Sequence, residues 1–174
     1  MTSKMRGLLS GVAIAGMCVG LAAPAGAQEA TSLGTFNAWT AWQSTDANGV
    51  MCYISSTPSD SQPGNVNRGA IHFLIIHRKG LGTRNEVQSL IGYPFNTSNA
   101  NASATIDGRA YPMVTEGEAA WLASASDESG FVQSFRAGSR LVVRGTSQRG
   151  TNTTDTYSLS GSAAAMDAID RACA

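Results

Sequence analysis

The sequence is poor in the residues on which most metal sites and many active sites depend. Its 174 residues include two histidines, two lysines and three cysteines. His72 and His77 lie five residues apart on one predicted strand, and an odd separation places them on opposite faces of a sheet, so they do not share a metal. The chain has no G-x-S-x-G nucleophile motif and no Cys, His and carboxylate cluster at ligand spacing. These shortages predict a non-enzymatic protein without a metal or cofactor.

The chain also lacks an excess of positive charge. Twelve Lys and Arg residues balance twelve Asp and Glu residues. A nucleic-acid-binding surface needs concentrated positive charge to displace counterions from phosphates. The balance therefore argues against a nucleic-acid partner.

The N-terminus has the three zones of a secretory signal peptide. Lys4 and Arg6 form a basic start, an apolar stretch follows, and a small-x-small cleavage site ends at Ala27. A membrane anchor is the alternative, but glycines interrupt the stretch, and no later segment reaches the ~18–20 apolar residues that a span needs. We predict a signal peptide over residues 1–27 and one exported domain over residues 28–174. Its location is then periplasmic or secreted, with no transmembrane segment after cleavage.

Only two cysteines, Cys52 and Cys173, remain after cleavage. Exported compartments are oxidising, so these two residues are predicted to form a disulfide that closes nearly the whole domain. A closed loop of about 100 residues contributes up to about 4.7 kcal/mol on the chain-entropy model. The alternative is two free thiols, one of them reactive.

Short β-rich runs separated by Gly, Pro, Asn and Ser dominate the mature chain. We predict strands over 35–44, 50–57, 70–78, 85–93 and 119–123, a hairpin turning at Asp107-Gly108, a second hairpin of 140–147 and 153–160, and helices over 127–136 and 162–173. The run over 70–78 is apolar on both faces and is expected to be central. In the last helix, Asp167 and Arg171 are one turn apart and predicted to pair. Disorder is expected over 28–32, 58–67 and 96–101.

This pattern predicts a mainly β fold. We expect an antiparallel β-sandwich or barrel-like domain with a short helix and a C-terminal helix, closed by one disulfide. The length after cleavage suits one domain with a substantial core.

Two sets of residues are candidates for a partner surface. Trp39 and Trp42 lie three apart, hence on opposite faces of a strand, so at least one is core while the other is an exposed aromatic contact; for Trp42 both alternatives stay open. Arg140 and Arg144 share a face of a predicted strand, and Arg149 lies at the following turn. The three arginines form a possible surface for an anionic partner, or they keep an edge hairpin soluble and unpaired.

The tripeptide Arg-Gly-Thr occurs twice, at 144–146 and 149–151. No helix start follows to bind phosphate, so the repeat is interpreted as a hairpin. Gly145 is predicted to end or bulge the first strand, and Gly150 to lie in the turn. Glu116 and Glu118, beside Gly117, are interpreted as surface acids.

Several segments resemble the invasion associated locus B family of exported bacterial proteins. They are FNAWTAW, MCYISS, NEVQSLIGYPF, FVQSFRAGSRLVVRG and TYSLSGSAAAMDAIDRAC. The resemblance implies a secreted or periplasmic β-rich domain with no established catalytic site, and an association with host-cell entry and virulence.

The leading expectation is a periplasmic or cell-surface protein that acts through contacts with another protein or with an envelope component. One alternative is a small secreted hydrolase that uses His72 or His77. Another is a periplasmic inhibitor or ligand-binding barrel, which would show a deep apolar cavity.

Overall fold

The computed structural model describes residues 29–174; the predicted signal peptide lies outside the described residues. The strands are β1 (Thr31–Phe36), β2 (Trp39–Asp46), β3 (Gly49–Ser56), β4 (Asp60–Gln62), β5 (His72–Arg78), β6 (Thr83–Leu90), β7 (Ser103–Ile106), β8 (Arg109–Glu116), β9 (Ala119–Leu122), β10 (Arg140–Thr146) and β11 (Asn152–Ser158). The helices are α1 (Glu128–Ala137) and α2 (Ser162–Ala172), and short 3₁₀ turns lie at Lys79–Leu81 and Ala125–Asp127.

All strand pairs are antiparallel, in the order β1-β2-β3-β5-β6-β9-β8-β7-β10-β11-β4. The strands from β1 to β8 in this order form a first layer, and those from β7 to β4 form a second. Because β8 pairs with both β9 and β7, it joins the layers. The sheet ends in two edges, β1 and β4, and therefore does not close. The mainly β, antiparallel class is confirmed, and the architecture is sandwich-like.

An aromatic cluster fills the core where the two layers and α1 meet. The rings of Trp39 and Phe135 lie 4.8 Å apart, and Phe73 lies 5.9 Å from both Phe131 and Tyr157. These residues come from β2, β5, α1 and β11, so the cluster joins elements distant in sequence. Phe131 and Phe135 are four apart in α1 and share its buried face, as the helical spacing predicts.

Most predicted elements are present, and three predictions about the N-terminal half are wrong. The strand predicted over 35–44 is two strands, because the chain reverses at Asn37, which adopts a left-handed φ of 51°. Because apolar and β-branched residues lie on both sides of this turn, the pattern over 35–44 predicts one continuous strand. Residues 31–32, where disorder was expected, begin β1.

The third difference is β4, which lies inside the segment 58–67, where disorder was expected. It is three polar residues long, too short to produce an alternating pattern. Its place is set by the neighbouring strand, since Asp60 and Gln62 lie opposite Thr156 and Thr154 of β11.

Gly145 neither ends nor bulges its strand. It lies within β10, in continuous register opposite Thr153 of β11. A Cβ at this position would lie 2.5 Å from a ring carbon of Phe95 and 3.0 Å from Ile91. The glycine is therefore needed for close packing against Phe95. Gly150, in contrast, lies in the turn with a φ of 83°, as predicted.

The predicted disulfide is confirmed. Cys52 of β3 is bonded to Cys173 at the end of α2, with the two Cα atoms 6.0 Å apart and the two positions separated by 121 in the sequence. The bond fixes the C-terminal helix to the inner side of the first layer, where Met166 and Ile169 are also buried. None of the helices within residues 29–174 has the length and apolar character needed to span a bilayer.

Candidate functional site

A cleft of about 440 Å³ opens at one end of the sandwich. Four separate segments build it: residues 66–68 before β5, residues 92–94 after β6, Glu118 in the β8–β9 turn, and residues 147–151 with Thr153 around the β10–β11 turn. Its lining mixes charged, amide and hydroxyl side chains. The cleft is therefore polar, unlike the deep apolar cavity expected of a ligand-binding barrel.

A buried ion pair forms the floor of this cleft. Nη1 and Nη2 of Arg68 donate to the two carboxylate oxygens of Asp155, at 2.8 and 2.6 Å. The side chains are only 6% and 0% exposed. Nε and Nη2 of Arg68 also donate to the carbonyl oxygen of Ile91, at 3.1 and 2.7 Å. This bidentate geometry fixes the guanidinium and leaves the floor without net charge.

Tyr93 completes the floor. Its ring lies beneath the Arg68 guanidinium, whose central carbon is 5.1 Å from the ring centroid. Its hydroxyl is 2.7 Å from Oγ1 of Thr153, on the strand that also holds Asp155. Burial raises the pKa of Tyr93 above its usual range. The neutral phenol of Tyr93 thus stacks on the Arg68 guanidinium and is hydrogen-bonded to Thr153.

Two opposite charges stand at the mouth of the cleft. Glu118 and Arg149 are both exposed, and among residues 29–174 neither has a partner in an ion pair. Backbone hydrogen bonds hold the turns that carry them: Phe95 donates to Gly117 at 2.9 Å, and Gln148 donates to Pro94 at 2.8 Å. The segment after β6 therefore fastens both turns to one another.

A second surface lies on the outward side of the first layer, and we call it the outer apolar face. It consists of Trp42, Tyr53, Leu74, Ile76, Val114 and Trp121. The strand register aligns one row of it, because Trp42 lies opposite Tyr53, which lies opposite Ile76. In the neighbouring row, Gln88 lies opposite Leu74 and Trp121, and Trp121 lies opposite Val114. Outward positions of an antiparallel sheet are usually polar, so this face is unusual.

Trp42 is half-buried within the outer apolar face. It stacks on Tyr53 with ring centroids 6.4 Å apart, and its Nε1 donates to the hydroxyl of Ser55 at 3.0 Å. Trp39 lies on the opposite side of the strand and is fully buried, with its Nε1 donating to the carbonyl of Ser158. Trp42 is thus the tryptophan of this pair that keeps part of its surface available.

The predicted partner residues do not form one surface. Trp42 lies on the first layer, Arg140 and Arg144 lie on the exposed side of β10 in the second layer, and Arg149 lies at the mouth of the cleft. The β10–β11 hairpin is also not at an edge, since β10 pairs with β7 and β11 pairs with β4. Protection of an unpaired edge therefore does not explain Arg140 and Arg144.

His77 belongs to a polar network that fastens α2 to the first layer. Its Nδ1 accepts a hydrogen bond from the backbone N–H of Asn85 at 3.1 Å, so Nε2 carries the proton and donates to Oδ1 of Asp170 at 2.9 Å. Both ring nitrogens are thereby engaged, and neither is free to accept a proton from a nucleophile. His72 lies on the opposite side of β5, across from Leu90. Residues 29–174 contain no group of three metal-ligating side chains.

Asp170 is the centre of this network. Besides His77, it accepts from Arg84 at 2.8 Å and from Arg136 of α1. Partial burial acts to raise the pKa of Asp170, but the hydrogen bonds from His77 and Arg84 and the charge of Arg136 outweigh it, so the pKa lies below its usual value. The carboxylate is therefore charged across the neutral range and joins both helices to β5 and β6.

The family model described as "Invasion associated locus B (IalB) protein" matches residues 39–170 of this chain. The chain belongs to the invasion associated locus B family. No curated protein and no solved structure matches it. The cleft and the outer apolar face both lie inside the matched range, so they are parts of the family's domain.

Sequence reasoning missed the Arg68–Asp155 pair of this family member. One signal was present: Thr153, Asp155 and Tyr157 alternate along β11, so Asp155 lies in the inward phase and requires a cationic partner there. Arg68 itself lies in a loop without periodicity, so no pattern indicates that it is the partner. The sequence predicts Glu118 as a surface acid, because its position at a cleft depends on the fold.

Proposed function

We propose that this member of the invasion associated locus B family is an exported, non-enzymatic protein of the bacterial envelope that binds a protein partner through its outer apolar face. The location is periplasmic or cell-surface. The family name associates such proteins with invasion, and the proposal extends this association with host-cell entry to the chain.

The observation that supports partner binding is the outer apolar face itself. Val114 is 53% exposed and lies opposite the half-buried Trp121, and the half-buried Trp42 and Tyr53 stack on the same side of the sheet, several strands away. Contiguous exposed apolar surface marks interaction sites, and aromatic residues are enriched in them. The face is built on strands, which suits contact with another folded protein better than enclosure of a small molecule.

The geometry of His77 supports a role without catalysis. A general base needs an unoccupied nitrogen within reach of a nucleophile, and the ring of His77 is bonded on both sides. Its contacts instead hold the C-terminal helix in place.

Crosslinking in envelope extracts tests the proposed contact. The wild-type protein should give a crosslinked adduct with a partner protein, and Val114→Glu should abolish it by placing a charge in the apolar interface. Leu81→Glu is the matched control, because Leu81 is 57% exposed and lies outside the outer apolar face. An adduct that survives V114E, or one that L81E removes equally, would contradict the proposal.

Export requires a separate measurement. N-terminal sequencing of the protein recovered from the periplasmic fraction should give a chain that starts at Gln28. A chain retained in the cytoplasm with residues 1–27 intact would overturn the envelope location.

A further inference from the structure

We propose that the cleft at the end of the sandwich binds a small zwitterionic ligand, of the size and chemistry of a short peptide with free ends. In this arrangement the ammonium group lies at Glu118 and the carboxylate at Arg149. The site is distinct from the outer apolar face, so this inference goes beyond the proposed function and does not depend on it.

The floor of the cleft is rigid and electrically neutral. Arg68 and Asp155 neutralise each other, and Tyr93, Thr153 and the carbonyl of Ile91 hold them in one arrangement. A buried ion pair is weak evidence for stability, because desolvation offsets much of its attraction. Its position directly beneath a cleft is instead what a preorganised binding site requires.

One N–H group of this floor is left for a ligand. A guanidinium has five N–H groups. In Arg68 the Nε–H and one Nη2–H donate to Ile91, while the other Nη2–H and one Nη1–H donate to Asp155. The second Nη1–H has no hydrogen-bond partner among residues 29–174, and Arg68 lines the cleft. A carbonyl oxygen in the middle of a peptide would accept it.

The mouth supplies complementary charges for the two ends of such a ligand. Glu118 and Arg149 both line the cleft, and neither is consumed by an ion pair within the described part of the chain. A ligand with a single charge would leave either Glu118 or Arg149 without an oppositely charged partner. The turns that carry them are both hydrogen-bonded to the segment after β6, so the backbones at Glu118 and Arg149 keep a fixed arrangement.

The remaining walls suit the backbone of a short peptide. Asn67 and Gln148 offer amides, and Ser147 and Thr151 offer hydroxyls, all of which pair with peptide N–H and C=O groups. The volume of about 440 Å³ lies within the range of small-molecule sites. The cleft is open, so side chains of different size are accommodated at its mouth.

The test is an NMR titration of the disulfide-bonded protein with a panel of dipeptides that have apolar, polar and charged side chains. The readout is the chemical shift of the backbone amides of residues 92, 118 and 148. We expect saturable shifts at these positions, with dissociation constants of about 1 mM or tighter. The N-acetyl and the C-terminal amide derivatives of the best dipeptide should each bind at least about fivefold more weakly, because each loses one charge-assisted contact.

Variants assign the two ends. Glu118→Gln should weaken binding of the free dipeptide and make it no tighter than that of the N-acetyl derivative. Arg149→Ala should make binding of the free dipeptide no tighter than that of the C-terminal amide. Glu116→Gln and Arg144→Ala are matched controls, exposed and outside the cleft, and should leave binding unchanged. V114E should also leave binding unchanged, which separates this test from that of the proposed function.

Three results would overturn the proposal. They are the absence of shifts for the whole panel at about 10 mM, equal binding of the free and capped dipeptides, and equal losses in the control variants.

Discussion

At the scale of single residues, the two Arg-Gly-Thr repeats show how identical tripeptides serve different purposes. In the second, Gly150 supplies a left-handed turn with open space around its Cα. In the first, Gly145 lies in a regular strand, and its missing side chain admits the ring of Phe95. The local sequence is the same, so only the tertiary environment distinguishes them.

Gly145→Ala is therefore expected to destabilise the protein. Its Cβ would lie 2.5 Å from the Phe95 ring, and such overpacking of a core costs about 1–3 kcal/mol. Urea denaturation measures the loss. Gly64→Ala is the matched control, because its nearest atom, the carbonyl oxygen of Ser61, lies at 3.9 Å. A G145A variant as stable as G64A would show that the strand has room for a methyl group.

Two buried tyrosines should respond in opposite ways to loss of the hydroxyl. The Tyr157 hydroxyl is buried and has no hydrogen-bond partner within residues 29–174, and burial raises its pKa above the usual range. Tyr157→Phe removes this unpaired group and should raise the free energy of unfolding by up to about 1 kcal/mol. Tyr93→Phe breaks the bond to Thr153 and should lower it by about 1 kcal/mol. Chemical denaturation of both variants gives the comparison, and a loss in Y157F equal to that in Y93F would point to a hydrogen bond at Tyr157.

At the scale of elements, the C-terminal helix was predicted with its buried face correct and its charge pairing wrong. Met166 and Ile169 are buried as the helical spacing indicates. Asp167, however, pairs with Arg136 of α1 at 2.6 Å and not with Arg171. A contact between helices replaces the one-turn pair, and nothing in the periodicity of α2 alone reveals it.

The network around Asp170 predicts how this helix contributes to stability at different pH values. Its pKa is lowered in the folded state, so its contribution is present above the usual aspartate pKa and is lost as pH falls through the lower, folded value. Asp170→Asn should therefore be less stable than wild type at pH 7, and the difference should shrink between about pH 5 and pH 3. Urea denaturation across this range tests it.

Glu116→Gln is the control for this pH series, since Glu116 is exposed and outside the network. A difference between Asp170→Asn and wild type that stays constant down to acidic pH would mean that the carboxylate does not titrate in this window.

At the scale of the whole molecule, the sequence predicted what local patterns can encode. The continuous apolar run of β5 and the Asp107-Gly108 turn were predicted correctly because both depend on a few neighbouring residues. The strand order and the cleft depend on contacts across the chain. Arg68 and Asp155 are 87 residues apart, and no short pattern links them. The candidate site was therefore only partly predictable, through Arg149.

The disulfide is the long-range contact that sequence did predict, because only two cysteines lie in the predicted mature chain. Cys52→Ser combined with Cys173→Ser opens a constraint spanning 121 positions and should lower the free energy of unfolding by about 2–5 kcal/mol. Guanidinium denaturation gives the value, and wild type unfolded in a reductant should match the double variant.

Hydrogen exchange in the double variant distinguishes two explanations of how the disulfide stabilises the protein, through the unfolded chain alone or also through the folded helix. If it acts only on the unfolded chain, hydrogen exchange in α2 should rise no more than elsewhere in the folded protein. We expect α2 to exchange faster than β5 in the double variant, because Asp170 and the Cys173 carbonyl, which accepts from Arg84 at 3.1 Å, become the remaining polar contacts between the helix and the first layer. Equal exchange in both elements would assign the whole effect to the unfolded state.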